Sequence, residues 1–214
     1  MWSEVAGPVS TYATSGYRLR EAVQIIHELW DGGYVTYRGE HFDVESAKVW
    51  DLPEQAPDIG IAVSGPQSCR LAGELGDIMI AVEPKPELGE FFDAAGGAGK
   101  PRIGQQPLSF GTDATAAVRR AHEQFRWFGG GWKVNADLPG PTALDAASSY
   151  VRPDDVAESI PCGDAVEDFV EACTPFVDAG FTHLALVQIG GDQQQPFFDW
   201  AQASLLPALR EAFG

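Results

Sequence analysis

The stretch DIGIAVSGPQSCRLAGELGDIMIAVEPKP, residues 58–86, decides the fold class. Its first apolar run, residues 59–63, is too short for a buried helix and is bounded by polar turn residues, so it reads as a buried strand. Ser64-Gly65-Pro66 then break the strand and open a helix. Ser64 is the expected N-cap, and Pro66 sits in a first turn where its missing N–H costs little. Leu71, Ala72 and Leu75 give that helix an apolar face, Gly76 ends it, and residues 77–82 form a second apolar run. The order is strand–helix–strand, and such crossovers build parallel sheets.

The chemistry lies at the first join. A strand that ends in Ser64-Gly65 and runs into a helix directs free backbone N–H groups and the positive end of the helix dipole at one spot, which favours an anion such as phosphate. The plainer reading, a tight turn between strand and helix, fits the pattern equally well. The spacing is not a dinucleotide fingerprint, because no second and third glycine follow Gly65 in register.

Upstream, residues 1–16 show no clear period and read as an irregular amino-terminal segment. From Tyr17 the pattern turns helical: Leu19, Ala22, Val23, Ile26, Leu29 and Trp30 form one stripe, stopped by Gly32-Gly33. Residues 34–44 read as two β-prone arms around a glycine turn, a small hairpin in which His41 is a surface residue rather than a ligand. Pro53 and Pro57 close the linker into the central stretch.

Downstream, residues 87–95 read as a helix, 102–110 as a strand and 113–128 as a long amphipathic helix. Residues 129–150, with three consecutive glycines, Trp132 and Lys133, read as a loop long enough to be functional. Helices follow at 154–159 and 165–179, then a strand at 182–189. A closing helix has an apolar face of Phe198, Trp200, Leu205, Leu206 and Leu209. That makes four strands, each followed by a helix, with right-handed crossovers expected. The chain opens on a loop and a helix, so it reads as the second half of an α/β domain.

With 214 residues, 44% of them apolar, the chain can bury the core of one large domain. A formal net charge of −17 argues against partners such as nucleic acid or an anionic membrane. Three cysteines, Cys69, Cys162 and Cys173, are too few and too irregular for a disulfide framework or a cysteine-rich metal site. With no leader pattern and no long apolar span, the expected compartment is the cytoplasm.

The motif YRLREAVQIIHELWDGGYVTYRGEHFDV, followed by IAVSGPQSCRLAGELGD and by the tail VEDFVEACTPFVDAGFTHLALVQIGGDQQQPFFDWAQASLLPAL, resembles the luciferase-like flavin and deazaflavin oxidoreductases. The branch it is most similar to uses coenzyme F420 and includes the F420-dependent glucose-6-phosphate dehydrogenases. The resemblance covers residues 17–214 and implies the carboxyl-terminal portion of a (β/α)8 barrel, the amino-terminal strands being missing. It implies hydride transfer between an organic substrate and F420, with FMN as the alternative. It also implies that Ser64, Gly65, Pro66, Gln67 and Ser68 hold the cofactor near its phosphate, where the join already marked an anion site.

Lys85 and Lys133 match by position two lysines that contact substrate phosphate in the sugar-phosphate branch; read alone, each is an ordinary solvated lysine. Ser159 stands near the branch's third phosphate contact, an arginine, and losing that guanidinium removes a bidentate contact. Glucose 6-phosphate is therefore not the expected substrate. Ser159 and Cys162 read as helix-end and packing residues. The family's catalytic His and Glu follow early strands and have no counterpart here, and His183, inside the last strand, reads as a core histidine.

A partial barrel exposes parallel strand edges and apolar helix faces, so a homo-oligomer or another association covering the open edge is expected. An alternative function is a catalytically inactive half-barrel that binds an anion or a partner. A Schiff-base role for Lys85 is weaker, because Glu83 and Glu87 oppose the desolvation that would deprotonate it.

Overall fold

Two compact units make up the chain: residues 1–80 with 87–101, and residues 81–86 with 102–214. The computed structural model describes residues 12–135, 137–138 and 140–214, without the side chains of residues 12–15, 132 and 133. Part of the irregular segment, residues 1–11, thus lies outside the described residues.

The first unit opens with helix α1 (Tyr12–Trp30), which starts five residues ahead of Tyr17, where the helical pattern begins. Its buried face differs from that stripe. Val23 and Ile25 are buried, whereas Leu19 and Ile26 are 39% and 37% exposed. The cause is that α1 meets two neighbours, the helix of the central stretch and the following hairpin, which widens the arc it buries.

Strands β1 (Val35–Arg38) and β2 (Asp43–Ala47) form the expected antiparallel hairpin, with Tyr37 opposite Val44. The Glu21 carboxylate on α1 accepts the N–H groups of Glu40, His41 and Phe42, each at 3.0 Å, and so pins the turn to the helix. Burial raises the Glu21 pKa, but these three donors outweigh it and hold the carboxyl below its ordinary range.

Strand β3 (Gly60–Ala62), helix α2 (Pro66–Leu75) and strand β4 (Ile78–Ala81) realise the strand–helix–strand order, with β3 and β4 parallel and Ile61 opposite Met79. Asp77 locks the register: its Oδ2 accepts the Ile59 N–H at 2.9 Å while its own N–H donates to the Ile59 carbonyl at 2.8 Å. Helix α3 (Pro86–Phe92) runs into a π turn, Asp93–Gly97, and packs on α2. The approach requires glycine at position 73, where a Cβ would lie 2.7 Å from the Phe92 carbonyl oxygen. Lys100 Nζ then donates to the carbonyls of Gly73 and Gly76, at 2.8 and 2.9 Å, capping the carboxyl end of α2 with a positive charge.

The second unit is built on strand β5 (Arg102–Phe110). Helix α4 (Ala114–Phe125) follows, its N-cap Asp113 accepting the Ala116 N–H at 3.1 Å, and it tightens into a 3-10 turn, Arg126–Gly130. The segment expected to be a long loop instead holds two short helices, α5 (Gly131–Asn135) and α6 (Pro141–Ala147). Helix α7 (Pro153–Ala157) leads to strand β6 (Cys162–Gly163), which no apolar period announced. Then come α8 (Val166–Asp178), β7 (His183–Gln188), α9 (Gln194–Trp200), a π turn (Ala201–Leu205) and α10 (Leu206–Phe213).

Both neighbours of β5 in this unit are parallel to it: β7 along residues 103–108 and β6 at residues 109–110. They lie on opposite edges. Leu108 accepts the Ile189 N–H, whereas the next residue, Ser109, donates to the Pro161 carbonyl, and successive residues of a strand direct their backbone groups to alternate edges. Leu108, Phe110, Phe169, Phe197, Ala201 and Leu205 form one core cluster of this unit, each large side chain contributing about 2 kcal/mol on burial. The closing helix therefore buries Phe197 and Leu205, while Phe198 and Leu206, expected on the apolar face, are exposed. A π turn inserts an extra residue, which rotates the buried face. His183 is likewise exposed rather than a core residue.

Candidate functional site

The loop between β3 and α2 is braced from within. Ser68 Oγ accepts the N–H groups of Ser64 at 3.0 Å and Gly65 at 3.2 Å, and donates to the Gly65 carbonyl at 3.0 Å. The helix cap is Gly65, in extended backbone, and not Ser64. The third helical residue closes the turn by reaching back, as in half of a capping box. Two of the N–H groups expected to face an anion are thereby occupied. Pro66 has none, so the helix-end donors without a carbonyl partner inside α2 are the amides of Gln67 and Ser68.

Gly65 is not demanded by the fold. Its φ of −174° is open to any residue, and a Cβ added there would meet nothing within 4 Å. The space beside the loop is therefore free for a ligand, at the positive end of a ten-residue helix. Ser64, Gly65 and Ser68 are half-buried, and Pro66 and Gln67 are exposed. Cys69, one residue on, is fully buried, and burial pushes its thiol up to about 11.

In the second unit, Lys85 Nζ lies 2.9 Å from a Glu83 carboxylate oxygen and is half-exposed. A substrate anion would have to displace that partner. Lys133 lies on α5, and its side chain falls outside the described residues.

A cleft of about 770 Å³ opens in this unit, lined among others by Glu83, Gln106, Phe125, Trp127, Ser159 and Cys162. Ser159, read as a helix-end residue, faces this cleft and is exposed. Cys162 belongs to β6; burial raises its thiol to about 11 despite the opposing charge of Arg120, so it is no nucleophile at neutral pH. Gln106 carried no signal in the sequence. It follows Gln105 in strand β5 (RIGQQPLSF), and only the structure shows which of the two is buried while lining the cleft.

Three of the four imidazoles face hydrogen-bond partners outside the cleft. His27 Nε2 faces the Leu75 carbonyl at 3.5 Å, His122 Nε2 the Val151 carbonyl at 2.8 Å, and His183 Nδ1 the Thr182 hydroxyl at 2.9 Å. Among the described residues no group of three or more His, Cys, Asp or Glu could hold a metal ion. None of their helices is long and apolar enough to cross a membrane.

The family model for luciferase-like monooxygenases matches residues 5–177. An F420-dependent glucose-6-phosphate dehydrogenase of Microbacterium testaceum is 31% identical over 222 residues, covering 92% of this chain and 61% of its own length. The enzyme of the same name from Rhodococcus hoagii is 29% identical over 209 residues, covering 90% of this chain and 60% of its own. The chain thus spans about 60% of the length of the curated relatives it matches. Among solved structures, an F420-dependent secondary alcohol dehydrogenase bound to an F420–acetone adduct superimposes with a TM-score of 0.78. It is 20% identical and covers 96% of this chain and 65% of its own. The chain belongs to the luciferase-like monooxygenase family and carries part of its (β/α)8 barrel.

Proposed function

We propose that this chain forms part of an oxidoreductase that moves hydride between a small organic substrate and the deazaflavin coenzyme F420, with FMN as the alternative cofactor. When bound, the cofactor ring supplies the hydride chemistry, and the protein supplies binding and orientation. The loop Ser64-Gly65-Pro66-Gln67-Ser68 receives the coenzyme's phosphate. The observation that carries this reading is the braced loop itself: Ser68 holds Ser64 and Gly65 in place, and Gly65 leaves open space beside the amides of Gln67 and Ser68. Two relatives with F420-dependent names point the same way.

Lys85 and Lys133 contact the substrate in this reading. Lys85 exchanges Glu83 for it, which weakens its hold on an anion. The protein works in the cytoplasm, and a second chain covers β7, whose described strand neighbour is β5 and whose outer residues His183 and Ala185 are exposed.

The test is an equilibrium fluorescence titration with F420, its dephosphorylated form and FMN. F420 should bind saturably, and removing the phosphate should weaken binding about tenfold or more, as loss of a charge-assisted anion contact does. A folded sample that binds none of the three would remove the cofactor reading.

A further inference from the structure

Strand β4 is followed by Val82-Glu83-Pro84-Lys85, at the carboxyl end where the active sites of (β/α)8 barrels lie. The Lys85 N–H donates to the Glu83 carbonyl at 2.9 Å, closing a tight turn around Pro84. Proline suits the centre of such a turn, because its ring fixes φ near the value the turn needs. The closure brings the two flanking side chains together, and Lys85 Nζ donates to Glu83 Oε2 at 2.9 Å. A pair gathered by its own backbone loses less side-chain freedom on forming than one between two loose surface chains.

The two members of the pair do not stand alike. The Glu83 side chain is 29% exposed, and the residue lines the cleft of the second unit with Val82 and Pro84. Lys85 is 52% exposed and is not among the described residues of the cleft wall. The pair thus presents its acidic residue to the cleft and keeps its basic residue outside the wall. An anion arriving at Lys85 has to displace Glu83 and then remain beside its negative charge. A neutral substrate group meets neither cost, so the carboxylate discriminates by opposing the wrong charge.

We infer that Glu83 is a specificity-determining residue of this chain. Its carboxylate holds the Lys85 ammonium and lowers the affinity of that lysine for anionic substrates, sugar phosphates included. The inference rests on the reading of Lys85 as a substrate contact and is independent of the cofactor loop.

The experiment is calorimetric titration of glucose 6-phosphate into a parent carrying Gly65→Asp, which keeps anions from the 64–68 loop, and into the same parent with Glu83→Gln, with Lys85→Met and with both. Gln keeps the size of Glu, and both positions are accessible to solvent, so the fold should be unaffected. Glu83→Gln should bind about threefold more tightly than the parent, the effect an exposed ion pair supplies. Lys85→Met should bind more weakly, and adding Glu83→Gln to it should change nothing, because the carboxylate acts through the ammonium. Binding detected in Glu83→Gln alone supports the inference equally. A gain from Glu83→Gln that persists beside Lys85→Met is a general charge effect and overturns it. So does parent affinity in Glu83→Gln with a weakened Lys85→Met, which leaves the substrate reading of Lys85 standing. Parent affinity in Lys85→Met removes that reading and the inference together, as does silence in every protein of the set.

Discussion

The Ser68 hydroxyl accepts the Gly65 N–H at 3.2 Å and returns a hydrogen bond to the Gly65 carbonyl at 3.0 Å. This two-way bond fixes the turn by which β3 becomes α2, and with it the direction in which the helix presents its first free amides.

Ser68→Ala removes the brace without touching the helix interior. Loss of an amino-terminal capping contact costs about 1 kcal/mol, so urea unfolding should show a lower midpoint with an unchanged slope. Coenzyme affinity should fall as well, and Ser68→Thr, which retains the hydroxyl, should restore part of both.

Lys100→Met removes the ammonium that holds the Gly73 and Gly76 carbonyls at 2.8 and 2.9 Å. Hydrogen bonds to a charged group contribute about 2 kcal/mol, so the variant should unfold at lower denaturant. Lys100→Arg, which retains a cation, should lose less, which distinguishes the charge from general damage.

Asp155 offers a pH test. Its Oδ1 and Oδ2 receive Arg152 Nη2 at 2.6 Å and Nε at 3.2 Å, and Oδ2 also receives the Arg152 backbone N–H at 2.8 Å. The side-chain bonds and then the backbone bond lower its carboxyl to about 2, against a small opposing effect of burial. A folded value below the unfolded one means the interaction is fully present above the ordinary carboxylate range, near 4. It is lost as pH falls from there through about 2. An NMR titration should find the Asp155 carboxyl titrating near that value, and Asp155→Asn should lose the corresponding acid limb. A midpoint in the ordinary range would contradict the geometry.

The strand–helix–strand order of the central stretch was readable because each piece carries its own punctuation: a short apolar run, Pro66 in the first turn, and Gly76 at the end. The cap was not. Ser64 and Ser68 are both suitable side chains, and only the extended backbone at Gly65 decides that the bond comes from Ser68. The two residues of β6 are too few for a period, and the helices within 131–147 are too short to stand out among glycines and prolines. In the closing helix the sequence repeat assumes 3.6 residues per turn, and the π turn at Ala201–Leu205 breaks that assumption. Of the candidate site, the 64–68 loop was legible from turn chemistry. Gln106 was not, because two adjacent glutamines in a strand show nothing of which one is buried or which groups face its amide.

The central claim is that the loop around Gly65 receives the phosphate of F420, and the measurement that meets it most directly is a fluorescence titration of F420 into wild type and Gly65→Asp. Position 65 has ordinary extended backbone and open space around a Cβ, so the variant should fold with an unchanged melting temperature. Its carboxylate would occupy the phosphate's place and repel it, and the account predicts saturable binding by wild type and a loss of about a hundredfold or more in the variant. Equal affinity for F420 in the two proteins would contradict it.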